Sequence, residues 1–262
     1  MKIGISTASF FGKRFTEDTF DVIREIGADT VEVFFATFTE YEEQFARLLL
    51  ERKGDINVRS IHALTNQYEP ELFNMSPRTR GDAYHWADRV LSNGEILGAK
   101  YYTFHGATLL KRIKYVFNYD DLGAKVNDII DLCESHGIEL CYENVHWAYF
   151  STPEYFRNLR DRCPRLRTCL DIKQAMQSHI DYREFIKVME GRISNVHLCD
   201  YFDDGKLAMP GKGTVDFVEL FRMLRDYGYD DTALLEVYSR DYNEFSELKD
   251  SYEYLLECAD KA

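Results

Sequence analysis

Six side chains able to bind a metal or move a proton close short apolar runs in this sequence. His62 follows VRSI, His105 follows YYTF, Glu143 follows ELCY and Asp171 follows RTCL. His197 stands late in SNVHL and Glu236 late in TALLEV. A histidine in such a place is ordinarily a satisfied hydrogen-bonding residue. An acid is harder to accommodate, because an unpaired ionised carboxylate among apolar neighbours is strongly disfavoured. Glu143 in LCYEN and Glu236 in LLEVY are such acids. Carboxylates and imidazoles together are the ligand types of Mn²⁺, Zn²⁺, Co²⁺ or Mg²⁺ sites. One shared cation would resolve Glu143, Asp171, His197 and Glu236 at once.

Only a particular fold brings residues so distant in sequence to one place. Eight strand-like runs recur 27 to 43 residues apart: KIGIS from Lys2, TVEVFF from Thr30, VRSIH from Val58, YYTFH from Tyr101, ELCYE from Glu139, RTCLD from Arg167, SNVHL from Ser194 and TALLEV from Thr232. Amphipathic segments separate them. FTEDTFDVIREIG sets Phe15, Phe20, Val22, Ile23 and Ile26 on one helical face and ends at Gly27. Asp120 is the expected cap of a helix carrying Val126, Ile129, Ile130 and Cys133 and stopping before Gly137. VDFVELFRMLRDYG and FSELKDSYEYLLECA repeat the pattern. Apolar strands alternating with helices predict a parallel sheet covered by helices, and eight repeats fit a closed barrel better than an open sheet. No GxGxxG follows the first strand, so a dinucleotide fold is not indicated. The expectation is an α/β chain, one (β/α)8 TIM barrel domain spanning residues 1–262.

Composition narrows the partners. A net charge of −13 repels phosphate backbones, and the short basic cluster Lys111, Arg112 and Lys114 is no long basic run, so nucleic acid is disfavoured. Six cysteines form no CxxC pair and read as reduced and buried. No signal pattern and no membrane-length apolar run is found, which predicts a soluble cytoplasmic protein without membrane contact. Eighteen Tyr and eighteen Phe are enough to line a carbohydrate pocket as well as a core, with Phe10 and Phe35 as candidate wall residues. Two longer stretches, Ala63 to Arg80 before the third helix and Cys199 to Gly213 after the seventh strand, lie where barrel active sites are built. Substrate cover and ordinary surface loop are equal readings of both.

In order along the chain, SIHAL, FHG, CYEN, CLDIKQ, VHLCD, PGKGTVDF and LLEVY resemble the strand-end motifs of the xylose isomerase-like barrel superfamily. That group contains ketose 3-epimerases, hydroxypyruvate isomerase, inosose and dehydroshikimate dehydratases, and endonuclease IV. The resemblance covers essentially the whole chain. It implies a divalent-metal site at Glu143, Asp171, His197 and Glu236, a small sugar or sugar-derived substrate, and Glu143 and Glu236 as the acid/base pair of an isomerase or epimerase. An α-hydroxy ketone held at a cation has an acidified C–H, and carboxylates on opposite faces of that carbon can exchange its proton. A multi-zinc phosphodiesterase of the endonuclease IV type and a dehydratase of a cyclic polyol or keto acid are the alternatives on this scaffold. Barrels of this group often pair, so a homo-oligomer is also implied.

The departures are specific. Where many members read Asp-x-x-His, this chain has Gln174, a poor metal ligand that can bond a substrate hydroxyl. YFDDGKLAMPGKG lacks the histidine that endonuclease IV carries after strand seven. His62 and His105 match two ligands of that enzyme's first site, so a second metal and a substrate-binding role both stay open for them. Lys212, between Gly211 and Gly213 before a helix, is a candidate phosphate contact, although a tight turn is the default. Lys173 and Arg240 are alternative anchors for a substrate anion, and His146 and Trp147 are expected to shape the pocket. His85, His136 and His179 fall in or beside helices and read as surface or structural residues.

Overall fold

The eight anticipated strands all form in the computed structural model: Lys2–Ser6, Thr30–Phe35, Asn57–Ala63, Tyr101–Phe104, Glu139–Glu143, Arg167–Asp171, Ile193–Leu198 and Thr232–Leu235. Each pairs in parallel with its neighbours in sequence, and the first pairs with the eighth, which closes the barrel. The structure describes every residue except 65, 66, 111, 112 and 114. The basic cluster Lys111, Arg112 and Lys114 therefore lies outside the described residues.

Closure leaves the strands buried on both faces, which is why they read as near-continuous apolar runs. Outward-facing residues meet the helix ring, where Ile23, Leu49, Val90, Ile130, Phe185 and Leu220 are fully or almost fully buried. Helix boundaries follow local chemistry. The helix Thr19–Ile26 stops at Gly27, which sits at φ 95°, a left-handed conformation that favours glycine. Phe15 does not join its apolar face: a 3₁₀ turn at Thr16–Asp18 precedes the helix and leaves Phe15 74% exposed. The helix Tyr119–Ser135 is capped by Asn118, whose side chain accepts from the Asp120 and Asp121 amides, and not by Asp120. Asn118 wins because an N-cap accepts from the amides two or three residues ahead, and the helix starts one residue before Asp120.

Of the two longer stretches, the first holds a 3₁₀ turn at Glu69–Phe73 and enters its helix at Pro77, capped by Ser76, earlier than Arg80. The second folds into an antiparallel ribbon pairing Asp200–Tyr201 with Leu207–Ala208. All six cysteines are free and buried. No helix among the described residues is long and apolar enough to cross a membrane.

Candidate metal centre

Parallel strands around a barrel end on one face, so the residues closing strands five to eight converge. Asp171 and His197 are register partners on adjacent strands. Asn144 fixes their neighbourhood: its amide donates to the Asp171 carbonyl at 2.8 Å, while its side-chain oxygen accepts from the Asp171 amide at 2.9 Å. Asp171 also caps the short helix Ile172–Gln177 by accepting from the Gln174 amide through Oδ1 at 2.9 Å. Its other oxygen is left for the barrel axis.

At that axis His197 Nδ1 lies 3.3 Å from Glu236 Oε2, 3.5 Å from Glu143 Oε1 and 3.8 Å from Asp171 Oδ2. Glu143, Asp171 and His197 are each 1% exposed and Glu236 is 8% exposed. Asp171 Oδ2, His197 Nδ1 and Glu236 Oε2 are buried without a hydrogen-bond partner. One atom from each of Glu143, Asp171 and His197 falls within 4.8 Å of the others, as for Glu32, His197 and Glu236. Electron-pair donors packed this closely need a positive charge among them. The proton affinities agree. Burial lifts Asp171 to about 7, against the pull of Lys173 and with the push of Glu143. Burial works against a charged His197, yet Cys169, Glu236 and Glu32 raise its affinity for a proton far above the ordinary range. The cluster holds more negative charge than its own cations satisfy, so the donor set fits a divalent ion.

Beneath the centre lies a residue that sequence reasoning passed over. Glu32, wholly buried in the second strand, places Oε1 3.1 Å from His197 Nε2. It accepts from Ser6 Oγ at 3.2 Å, Ser60 Oγ at 2.8 Å, Thr103 Oγ1 at 2.6 Å and Asn195 Nδ2 at 3.0 Å, thus from four further strands. Burial opposes its ionisation, but the charge and hydrogen bonding of His197 hold it down at about 2. With Nε2 3.1 Å from Glu32, Nδ1 faces the three carboxylates, the placement of a carboxylate–histidine–metal arrangement. The signal was in the sequence: Glu32 sits inside TVEVFF, an acid in an apolar strand like Glu143. Glu69 was missed as well, because it opens a 3₁₀ turn outside the strands. It is fully buried, accepts from Tyr102 Oη at 2.5 Å and from the His105 amide at 2.9 Å, and is lifted by burial to about 7.

Above the centre opens a cavity of about 430 Å³ lined by His62, His105, Lys173, Gln174 and Glu236, with Phe11, Phe34, Leu64, Trp147 and Tyr238 as apolar wall. His105 Nε2 lies 2.8 Å from Glu143 Oε2, and its ring meets the His62 ring edge-on at 4.4 Å between centroids. His62 engages the Thr103 carbonyl through Nδ1 at 2.9 Å. Lys173 is 2% exposed, with Nζ 3.3 Å from Glu236 Oε1 and 3.5 Å from Asp171 Oδ2. The Gln174 oxygen is taken by His146, whose Nδ1 lies 2.6 Å away; His146 itself is exposed and lines a different, shallow hollow.

Other candidates stand apart. Arg240 is exposed with its guanidinium over the Tyr238 ring, outside the cavity lining. Phe10 and Phe35 are fully buried in the core, and the rings that reach the cavity are those of Phe11 and Phe34. Strand alternation explains the second case, since adjacent residues point to opposite faces. His85 and His179 are exposed, and His136 bridges Asp88 and Glu95.

Lys212 is exposed, and the backbone around it is already engaged by an internal anion. Asp200 Oδ2 accepts from the Gly211 and Gly213 amides at 3.0 and 2.9 Å, and Oδ1 from Tyr201 and Val215 at 2.8 and 3.1 Å. A Cβ at Gly213 would collide with Asp200 Oδ1 and the Tyr201 carbonyl. Asp200→Ala is expected to cost about 3 kcal/mol by stranding these amides, read by urea denaturation; a loss below about 1 kcal/mol would mean that the loop is held by other contacts.

The sequence model of a family described as xylose isomerase-like TIM barrel matches residues 20–258. No curated protein matches the chain. Among solved structures, a D-tagatose 3-epimerase-like protein superposes with TM-score 0.80 at 20% identity, covering 100% of this chain and 99% of its own. The IOLI protein with a zinc atom gives 0.77 at 16% identity, covering 98% and 96%. A probable 3-DHS dehydratase from Bacillus anthracis gives 0.76 at 14% identity, covering 98% and 99%. At these identities the likenesses speak for the barrel.

Proposed function

Since this chain belongs to the xylose isomerase-like TIM barrel family, we propose that it is a divalent-metal-dependent isomerase or epimerase of a sugar or sugar derivative. The observation that carries this reading is the set of buried donor atoms of Glu143, Asp171, His197 and Glu236 facing one another, with Glu236 also lining the cavity. These four residues would hold the ion, Mn²⁺, Zn²⁺, Co²⁺ or Mg²⁺. The ion supplies Lewis acidity that makes a C–H beside a carbonyl easier to ionise.

The remaining steps belong to the protein. Glu143 closes strand five and Glu236 follows strand eight, so in this reading one takes the proton and the other returns it through an enediolate. His105, 2.8 Å from Glu143 Oε2, orients that carboxylate. His62 and Gln174 offer the substrate polar contacts at the cavity wall, while Phe34 and Trp147 cover apolar ring faces. The D-tagatose 3-epimerase-like neighbour supports the reaction class. The zinc atom of the IOLI protein supports the metal.

The test is solvent exchange. Ketoses, inososes and keto acids would be incubated in D₂O with each of the four ions, with ¹H NMR following the C–H next to the carbonyl. Deuterium incorporation that stops with EDTA and returns on adding metal is expected, and no exchange with any substrate class would sink the reading. Dehydration of a keto acid or cyclic polyol would favour the lyase alternative, which the dehydratase neighbour also resembles in fold. His62, His105 and Glu143 offer a second donor group within 4.8 Å. Two or more zinc ions per chain together with cleavage of abasic DNA would therefore favour the phosphodiesterase.

A further inference from the structure

The turn that follows Asp171 carries two long polar side chains that both reach the cavity wall but take different partners. Gln174 turns to His146. Lys173 turns inward and is the one lysine or arginine among the described residues lining the cavity. Its ammonium is not free to receive a substrate anion, because Glu236 Oε1 and Asp171 Oδ2 already hold it at 3.3 and 3.5 Å. The Tyr238 ring closes the other side, 4.6 Å from Nζ to its centroid. Each of these carboxylates is thereby shared between Lys173 and the neighbourhood of His197 Nδ1: Glu236 with one oxygen to each, Asp171 with a single oxygen between the two.

We propose that Lys173 is a resident monovalent cation of the metal centre, which weakens the hold on the divalent ion and fixes Glu236 with Oε2 toward His197, a role that rests on the metal-centre reading above. Glu143, Asp171 and Glu236 together carry three negative charges when ionised, and Lys173 cancels one. Glu32 and the imidazoles of His197 and His105 add to this balance, so Lys173 lowers the charge presented to the ion without setting it alone. Without the ammonium the carboxylates would present their full charge to that ion, and a like charge a few ångströms away, in a medium that screens poorly, would be gone. Binding would then tighten at the expense of an ion able to change partners as substrate arrives. Lys173 also keeps the carboxylates from repelling one another before an ion is bound.

The test is calorimetric titration of MnCl₂ into chelator-stripped protein for the parent chain, Lys173→Met and Lys173→Arg. Lys173→Met is expected to bind Mn²⁺ at least about tenfold more tightly, and Lys173→Arg to stay within about threefold of the parent because the charge is kept. Lys173→Gln gives the same reading with a polar side chain should the methionine variant fold poorly. Equal or weaker Mn²⁺ binding by the uncharged variants would overturn the role of Lys173 and leave the metal centre standing. A parent chain that binds none of Mn²⁺, Co²⁺, Zn²⁺ or Mg²⁺ would instead remove the metal-centre reading. A merely structural lysine, lost from this site, would loosen metal binding and would not tighten it.

Discussion

Glu143→Gln is expected to lower net conversion of the substrate by at least about 10³-fold while leaving the fold intact. General acid–base catalysis by a positioned side chain contributes about 10²–10⁴-fold, and Glu143 is asked to be both a proton carrier and a ligand. Glutamine keeps the shape and one oxygen near His197 but cannot take a proton from carbon. The side chain is 1% exposed and reaches His105 Nε2 at 2.8 Å. An amide there can still turn its oxygen to that ring, so unfolding is not expected. With the acid/base pair split between strands five and eight, deuterium exchange should survive in Glu143→Gln for one epimer of the substrate at most. Glu236→Gln should then retain exchange for the other. Circular dichroism and the unfolding midpoint report on the fold, and NMR in D₂O reports on each half-reaction. Full turnover by a folded Glu143→Gln chain would remove Glu143 from the chemistry.

The second large effect is expected at Glu32. Removing the carboxylate by Glu32→Leu strands hydroxyl and amide donors from Ser6, Ser60, Thr103 and Asn195 in a fully buried layer. Breaking a buried charged network in this way costs about 3–5 kcal/mol, and for a chain of this size about 2–4 °C per kcal/mol, so the midpoint should fall by about 10 °C. Glu32→Gln is the sharper probe of function. It keeps much of the packing but presents His197 Nε2 with a neutral partner, and losses of about 10–100-fold in metal affinity follow from altering such a partner. A Glu32→Gln chain with unchanged Mn²⁺ affinity would reduce Glu32 to a structural hub. The acid limb carries a sign of its own. The Glu32 pKa is lowered from 4.5 to about 2 in the folded chain, so its ionic contribution is present above about pH 4.5 and is lost as pH falls toward 2. In Glu32→Gln that part of the acid dependence should disappear.

Six of the residues at the centre of this reading could be picked out because they end strands. Glu143 and Glu236 were legible as acids that apolar neighbours cannot tolerate alone, and in the barrel they lie 3.5 and 3.3 Å from His197 Nδ1. Glu32 obeyed the same rule, but it sits in the middle of its strand, and only the closed barrel shows that its side chain points under the centre and not into the helix ring. The second strand also slips register against the third between Val31 and Glu32, which sets Glu32 opposite Ser60. Such an irregularity follows from packing around the whole barrel. Phe10 and Phe35 were one residue away from Phe11 and Phe34, which reach the cavity; for Phe34 and Phe35 two adjacent aromatics leave strand alternation without a phase, and Phe10 ends a 3₁₀ turn that the sequence pattern did not reveal.

Lys173 and Lys212 mark the limit of reading charges along a chain. Both are basic residues on the strand-end side of the expected barrel, and both looked able to hold an anion. The fold gives the first to Asp171 and Glu236, and turns the amides on either side of the second toward Asp200. By itself the sequence determined the eightfold alternation, the near-continuous apolar character of the strands and four residues whose charges demand company. Those follow from local periodicity and from the cost of an unpaired charge, which are properties of short segments. Which charge answers which, how deep Glu32 lies and which ring reaches the cavity were decided by barrel closure, because they depend on distances between strands remote in sequence.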